Sequence, residues 1–363
     1  MNRIILIGNG FDLAHELETS YKQIIDNFWK DEKNNFEAWR LRELKNAHDP
    51  YLKSYDNVFI NISINVKWLN YAEPPIDGDG YNWFIKNKDK YIKFECKNTF
   101  LSHITEKTNL QNWVDIEKEY YLTLNMCSKD EDVIKLNDDF FKLKNILEKY
   151  IEAQTRKGIL LSPQIKSHLQ LGPLEHEQHN NLNVSLDSVL FLNFNYTKTD
   201  EPYHKYCTCN NIGVIRIHGE LENPANPIIF GYGNEADDSY KAIKNKDNND
   251  YLKNIKLFRY IETSNYSNLL NFINSDEYEV FIMGHSCGVS DRTVLGKIFD
   301  HDNCLSIKIF YYDKDTEDYT NKVKNISKAF TKKSIMDNII VNKENCYPLL
   351  IKSGVENDHV QTL

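Results

Sequence analysis

Short continuous apolar runs alternate along this chain with stretches in which apolar residues recur every three or four positions, the patterns of buried strands and of helices. Residues 3–7 form the first run, rich in β-branched isoleucine, and Gly8-Asn9-Gly10 breaks it. Phe11, Leu13 and Leu17 follow at helical spacing, so the chain is predicted to open with a strand, a tight turn and a helix. Further buried strands are expected at Ser188–Leu192, Val214–Ile217, Ile228–Phe230, Glu279–Met283 and Leu305–Tyr311, with helical segments at 253–273 and 318–333. Strands apolar on both faces and interleaved with helices are what a parallel sheet covered by helices requires. The expected fold class is α/β, with helices on both faces of the sheet.

Between about residues 20 and 185 the pattern changes to Lys, Asn, Asp, Tyr and Trp, with helical periodicity clearest at Leu136, Phe140, Leu143, Leu147 and Tyr150. This stretch reads as a large, mostly helical insertion. Pro74-Pro75 with Asp77-Gly78-Asp79-Gly80 marks one loop inside it, and Gly172-Pro173 through Asn183 marks another. The expected organisation is a discontinuous α/β nucleotide-binding core at 1–25 and 185–335, a helical subdomain at 26–184 and a C-terminal extension at 336–363. The aromatic-rich insertion, with Trp29, Trp39, Trp68, Trp83 and Trp113, could form a homo-oligomer interface, a lid or simply a filled helical core.

Composition narrows the function classes. The 363 residues carry a formal net charge of −9, which disfavours general nucleic-acid binding. No run approaches the roughly 20 apolar residues of a membrane helix, and the four apolar residues after Met1-Asn2-Arg3 do not make a signal peptide, so a cytoplasmic protein without membrane contact is expected. The 7 cysteines are scattered, as free thiols of a reducing compartment would be. Cys207 and Cys209 near His204 offer only half of a structural zinc set, so no metal is expected.

In open parallel sheets the ligand lies beyond the carboxyl ends of the strands. Such positions hold Gly8-Asn9-Gly10-Phe11-Asp12, Asn193-Phe194-Asn195-Tyr196-Thr197, His218-Gly219-Glu220, Phe230-Gly231-Tyr232-Gly233 and Gly284-His285-Ser286. Gly8 and Gly10 would let a ligand approach the main chain, with a phosphate at the helix start; the plain alternative is a tight turn with Asp12 as its cap. Asp12 caps a helix well but repels a pyrophosphate, and Leu13 stands where a dehydrogenase fingerprint has its third glycine. Asn195 and His218 are spaced so that two neighbouring strands would bring them to one sheet edge. Histidine can take a proton from water or a hydroxyl near neutral pH, and an amide can orient that group. The alternative for His218 is a buried, hydrogen-bonded histidine in a turn.

The run Ile5-Leu6-Ile7-Gly8-Asn9-Gly10-Phe11-Asp12-Leu13-Ala14-His15, with Thr19-Ser20-Tyr21 behind it, resembles the opening signature of the abortive-infection AbiH family of bacterial anti-phage proteins. Trp113-Val114-Asp115-Ile116-Glu117, Phe194-Asn195-Tyr196-Thr197-Lys198-Thr199, Ile217-His218-Gly219, Ile229-Phe230-Gly231-Tyr232-Gly233 and Gly284-His285-Ser286 with Ser290-Asp291 continue the likeness in order. The same landmarks are similar, more distantly, to the Rossmann-like, sirtuin-like NAD-binding fold of phage-defence NAD hydrolases. That resemblance implies catalytic roles for Asn195 and His218. It implies NAD contacts for Gly8, Asn9, Gly10, Phe11, Asp12, Thr197, Gly284, His285, Ser286 and Asp291, with Asp115 and Glu117 as further acidic candidates. The departures from the sirtuin-like pattern are Thr197 in place of an aspartate, Asn9 between the first glycines, and no zinc module after His218.

The function implied is hydrolysis of the nicotinamide–ribose bond of NAD, depleting NAD on infection in response to an unknown phage-derived trigger. NAD is then the substrate, and no cofactor is required. Two rivals remain open. Gly284-His285-Ser286-Cys287-Gly288 fits the nucleophile elbow of an α/β serine hydrolase, with Asp313 and His359 later in the chain. A non-catalytic nucleotide-binding phage sensor is the other.

Overall fold

A computed structural model describes residues 1–45, 53–64, 80–111, 114–174, 185–234, 237–330 and 333–351. Trp68, Pro74-Pro75, Asp77-Gly78-Asp79, Trp113, the loop at 175–183, His359 and the extension beyond 351 lie outside the described residues. The chain divides into two units, one of 1–17, 151–241 and 255–363, the other of 18–150 and 242–254.

The first unit is built on a five-stranded sheet in which every pairing is parallel. Its strands are β1 (Asn2–Ile7), β5 (Ser188–Asn193), β6 (Asn211–Arg216), β7 (Tyr278–Met283) and β8 (Cys304–Phe310). They lie in the order β6-β5-β1-β7-β8. The α/β expectation therefore holds, and the physical reason is visible strand by strand. Ile4 and Leu6, Leu190 and Leu192, Val280 and Ile282, and Ile307 and Ile309 face one core, which also takes Leu269, Val294, Leu295, Ile298 and Ile326 from helices. Ile5 and Ile7, Val189 and Phe191, and Phe281 and Met283 alternate with them into a second core closed by Ile165, Leu169 and Tyr203.

One polar pair crosses the middle of this apolar sheet. Arg3 on β1 lies in register with Glu279 on β7, and Arg3 Nε donates to Glu279 Oε1 at 2.7 Å. Arg3 also donates to Gly172 O at 2.8 Å, while Leu174 N donates to the other Glu279 oxygen at 2.8 Å. The Gly172-Pro173 loop is thus anchored to a buried ion pair.

Four expectations are corrected. Residues 228–230 form no strand: Pro227 lacks an N–H, and Ile229 N donates instead to His218 O at 2.9 Å, holding the segment against the turn after β6. The helical segment at 253–273 is broken into Lys256–Tyr260 and Asn265–Ser275, and the one at 318–333 runs only from Asp318 to Ala329. The helix after the first turn is only Asn9–Leu13, because Glu16 takes a left-handed φ of 60° and turns the chain.

The second unit is largely helical, with a long helix at Tyr21–Lys45 and most of another, Asp130–Thr155, whose residues from 151 on belong to the first unit; the latter lies where the Leu136 to Tyr150 periodicity predicts it. It also contains an antiparallel sheet, β2 (Lys53–Asp56), β3 (Ile60–Ile64) and β4 (Ile92–Cys96), that the sequence pattern did not announce. Trp29 and Trp83 are buried among Phe36, Tyr81, Phe84 and Phe94, so they fill a core; Trp39 stacks on Phe36. Among the described residues no helix is long and apolar enough to cross a membrane.

Candidate functional site

Numbering only the strands of the large sheet in chain order gives 3-2-1-4-5, so the direction of winding reverses between β1 and β7. Ligands of open parallel sheets bind at such a reversal, beyond the carboxyl ends of the strands. The two turns that meet there are those predicted from the glycines. They touch backbone to backbone: Gly10 N donates to Gly284 O at 2.8 Å and Gly8 N to Met283 O at 3.4 Å. Gly284 has a φ of +80°, and a Cβ on it would lie 2.1 Å from Phe11 N. A Cβ on Gly8 would lie 2.5 Å from the Cα of His285. Glycine is required here by close approach of two strand-end turns. Phe11 N donates to Gly8 O at 2.8 Å, while the Phe11 ring packs edge-on to Tyr203 in the second core. Asn9 is exposed at the mouth of the turn.

Asp12 points inward from this turn and is 2% exposed. Thr197 Oγ1 lies 2.8 and 2.9 Å from its two carboxylate oxygens, and Thr199 Oγ1 donates to Oδ1 at 2.6 Å. Burial pushes the Asp12 carboxyl up to about 6, against hydrogen bonds from Thr199, Thr197 and Asn195 that pull it down. Thr197 and Thr199 come from the loop after β5, which is shaped by Asn193: its Oδ1 accepts Asn195 N at 2.7 Å and its Nδ2 donates to Asp200 Oδ1 at 2.7 Å. Asn195 Nδ2 reaches back to Gly8 O at 3.0 Å. The asparagine singled out from sequence therefore sits on the glycine turn.

His218, just beyond β6, is brought beside the same loop, with Nδ1 3.1 Å from Phe194 O. Its Nε2 lies 3.2 Å from Tyr260 Oη and 3.1 Å from Asp291 Oδ1. Asp291 ends the short turn Val289–Asp291 before the helix Arg292–Phe299. It receives Lys256 Nζ on Oδ1 at 2.7 Å and faces His285 Nε2 from Oδ2 at 3.4 Å. Burial raises the Asp291 carboxyl, but the charge of Lys256 and the two imidazoles more than reverse this and hold it well below the usual carboxylate range. Burial and then the charge of Lys256 push His218 down to about 4, while Asp291 pulls the other way. His218 is thus a neutral base at pH 7, with a carboxylate beside it to stabilise its conjugate acid.

The structure brings together Gly8, Gly10, Asp12, Asn195, Thr197, His218, Gly284, His285 and Asp291 at the ends of β1, β5, β6 and β7. Asp115 and Glu117 belong to the second unit, where Asp115 caps the helix Ile116–Met126 by accepting Lys118 N at 3.0 Å and Glu117 is buried in its first turn. Ser286 is exposed, and its carbonyl accepts Asn325 Nδ2 at 3.0 Å. The strained residue of Gly-x-Ser-x-Gly is not Ser286 but Cys287, with φ 54° and a thiol that burial pushes up to about 12. Asp313 is exposed.

Lys256, Tyr260 and Thr199 were missed as site residues. Thr199 lies two residues beyond Thr197 in the same motif, a signal the sequence carries; one lysine in an exposed-looking helical stretch carries none. His204 Nε2 faces Asp200 Oδ2 at 2.8 Å rather than the cysteines, and among the described residues no group of three or more His, Cys, Asp or Glu could hold a metal ion.

A family model described as Bacteriophage abortive infection AbiH matches residues 4–313. A comparison with curated proteins finds no match.

Proposed function

We propose a function from one premise: the chain belongs to the AbiH family of bacteriophage abortive-infection proteins. Its contribution to abortive infection, in this reading, is hydrolysis of the nicotinamide–ribose bond of NAD at the strand-end site of the first unit. The observation that carries the reading is the convergence of Asn195 and His218. Asn195 Nδ2 lies on Gly8 O at 3.0 Å, and His218 Nδ1 lies 3.1 Å from the carbonyl of the residue preceding Asn195.

The chemistry asks little of the protein. The bond between ribose C1′ and the nicotinamide nitrogen breaks with its electron pair returning to the pyridinium, which leaves neutral. A water oxygen then bonds to C1′, and its proton passes to His218. Asn195 orients the water or a ribose hydroxyl. Asp291 stabilises the imidazolium from 3.1 Å. The products are nicotinamide, ADP-ribose and a proton.

The test incubates purified protein with NAD and follows free nicotinamide, wild type beside Asn195→Ala and His218→Ala. Turnover is expected to fall by at least about a hundredfold in His218→Ala, the usual contribution of a positioned base. Equal turnover in all three folded proteins removes the mechanism.

One observation favours a second reading, binding without turnover. Both ring nitrogens of His218 lie against protein atoms, and the residue is 5% exposed. Calorimetric binding of ADP-ribose to a protein that releases no nicotinamide would select this sensor role.

A further inference from the structure

Lys256 is fully withdrawn from solvent at the start of the short helix Lys256–Tyr260. Its Nζ lies 2.7 Å from Asp291 Oδ1, the oxygen that His218 Nε2 approaches at 3.1 Å. The backbone fixes this meeting. Lys256 N donates to Tyr232 O at 2.9 Å, Gly233 N to Ser290 O at 3.0 Å, and Thr293 N to Gly233 O at 3.1 Å. A Cβ on Gly233 would fall 2.9 Å from Ser290 O. The Phe230-Gly231-Tyr232-Gly233 motif therefore ties the lysine to the turn that carries Asp291.

We infer that Lys256 is a positioning residue: by supplying the countercharge of Asp291, it holds His218 as an uncharged imidazole with a lone pair on Nε2. The inference rests on the proton-acceptor role given to His218 above. It follows from counting protons around one carboxylate. Phe194 O can only accept, so Nδ1 of His218 carries the ring proton; Nε2 has two neighbours, the Tyr260 hydroxyl at 3.2 Å, which can donate to its lone pair, and Asp291 Oδ1 at 3.1 Å, an oxygen that already takes Lys256 Nζ at 2.7 Å. His285 Nδ1 accepts Cys287 N at 2.9 Å, so its Nε2–H points to Asp291 Oδ2. With the ammonium of Lys256 on Oδ1 and the His285 N–H on Oδ2, Asp291 has a countercharge and a second donor, and a proton on His218 is not the only charge within its reach. Take the ammonium away, and His218 becomes the group beside Oδ1 that can supply charge. Lys256, Asp291, His285 and Tyr260 are the titratable groups facing the His218 ring, and both burial and the Lys256 charge act to keep that ring neutral.

The ring state of His218 is read by 15N NMR of the whole chain, with its signals assigned by their loss in His218→Gln. The wild-type ring is expected to be neutral at pH 7 with its proton on Nδ1, and Lys256→Met is expected to raise its titration midpoint by about one pH unit or more. An imidazolium in the wild type at pH 7, or an unmoved midpoint in folded Lys256→Met, overturns the inference. Where Lys256→Met does not fold, Lys256→Gln, which keeps a hydrogen-bond donor near Asp291 but no charge, is read in the same way. Nicotinamide release, followed in parallel, separates the two ideas. A neutral ring without nicotinamide release removes NAD hydrolysis and keeps the lysine's hold on His218; release with an imidazolium at pH 7 does the reverse.

Discussion

Thr197 Oγ1 lies within 2.9 Å of both carboxylate oxygens of Asp12, so a hydroxyl from the loop after β5 caps an acid from the turn after β1. The sirtuin-like pattern calls for an aspartate at 197. With Asp12 already buried at that spot, a second carboxylate would face the first at about hydrogen-bond distance without a countercharge, and a donor is what the position needs. Thr197→Val is expected to cost about 1.5–3 kcal/mol, the usual loss for a hydrogen bond to a charged group, and Thr197→Asp more than that. Urea denaturation at pH 7 measures both. A Thr197→Asp protein as stable as wild type would mean that Asp12 is not the buried acid described.

The raised carboxyl of Asp12 gives folding a defined pH dependence. In the unfolded chain this group loses its proton near 3.8, whereas in the folded protein it keeps it up to about 6. The folded state therefore binds more protons between those values, and stability falls as pH rises through that window, by roughly 3 kcal/mol once both states are ionised. Asp12→Asn removes the titration. The stability of the wild type minus that of Asp12→Asn should decline from pH 4 to pH 6.5 and then level; a flat difference would contradict the assignment.

Gly284 and Gly158 share a left-handed φ, +80° and +71°, but differ in surroundings. A Cβ at 158 meets nothing within 4 Å, while one at 284 would lie 2.1 Å from Phe11 N. Gly158→Ala should cost only about 1 kcal/mol, the backbone penalty alone. Gly284→Ala adds a collision between two backbones and is expected to lower the melting temperature by well over 10 °C or to abolish folding. Similar melting temperatures for the two variants would show that the turns after β1 and β7 are not in contact.

The parallel sheet was legible because its strands are buried on both faces and read as unbroken apolar runs such as Ile4-Ile5-Leu6-Ile7 and Val280-Phe281-Ile282-Met283. The sheet of the second unit was not, since β2 is Lys-Ser-Tyr-Asp and β3 alternates isoleucine with Asn and Ser over only five residues. Residues 228–230 misled for the opposite reason: they are buried and apolar, but they cover the His218 turn instead of joining the sheet. At the site, residue types at strand ends were readable while their partners were not. Gly8 and Gly10 looked like room for a phosphate, yet the room is taken up by Gly284 and His285. Lys256 gave no sign at all, because its role depends on a contact across 35 residues of sequence with Asp291.

Ser286 provides a check on the rival chemistry. An esterase serine needs a histidine on its hydroxyl and a strained backbone of its own. Here the left-handed residue is Cys287, and the neighbouring imidazole of His285 turns its two nitrogens to Cys287 N and Asp291. Incubation with a fluorophosphonate, followed by mass spectrometry of the intact protein, should give no adduct. Labelling at Ser286 would establish a nucleophile that this geometry does not prepare.

The Arg3–Glu279 pair tests how the centre of the sheet is held. Both side chains are essentially without solvent contact, and the guanidinium also stacks over the Phe281 ring at 4.0 Å from its centroid. Burial lowers the Arg3 pKa, with Glu279 pulling it back, so the pair is tolerated because the partner is present. Glu279→Gln leaves a buried guanidinium without a countercharge and should cost about 3–5 kcal/mol. Replacing both residues by methionine removes the desolvated charges together and should be less damaging than Glu279→Gln, although Gly172 O and Leu174 N then lose their partners. Chemical denaturation of the single and double variants decides it. If the double variant were the less stable of the two, the anchoring of the 172–174 loop, rather than charge pairing, would be what the ion pair contributes.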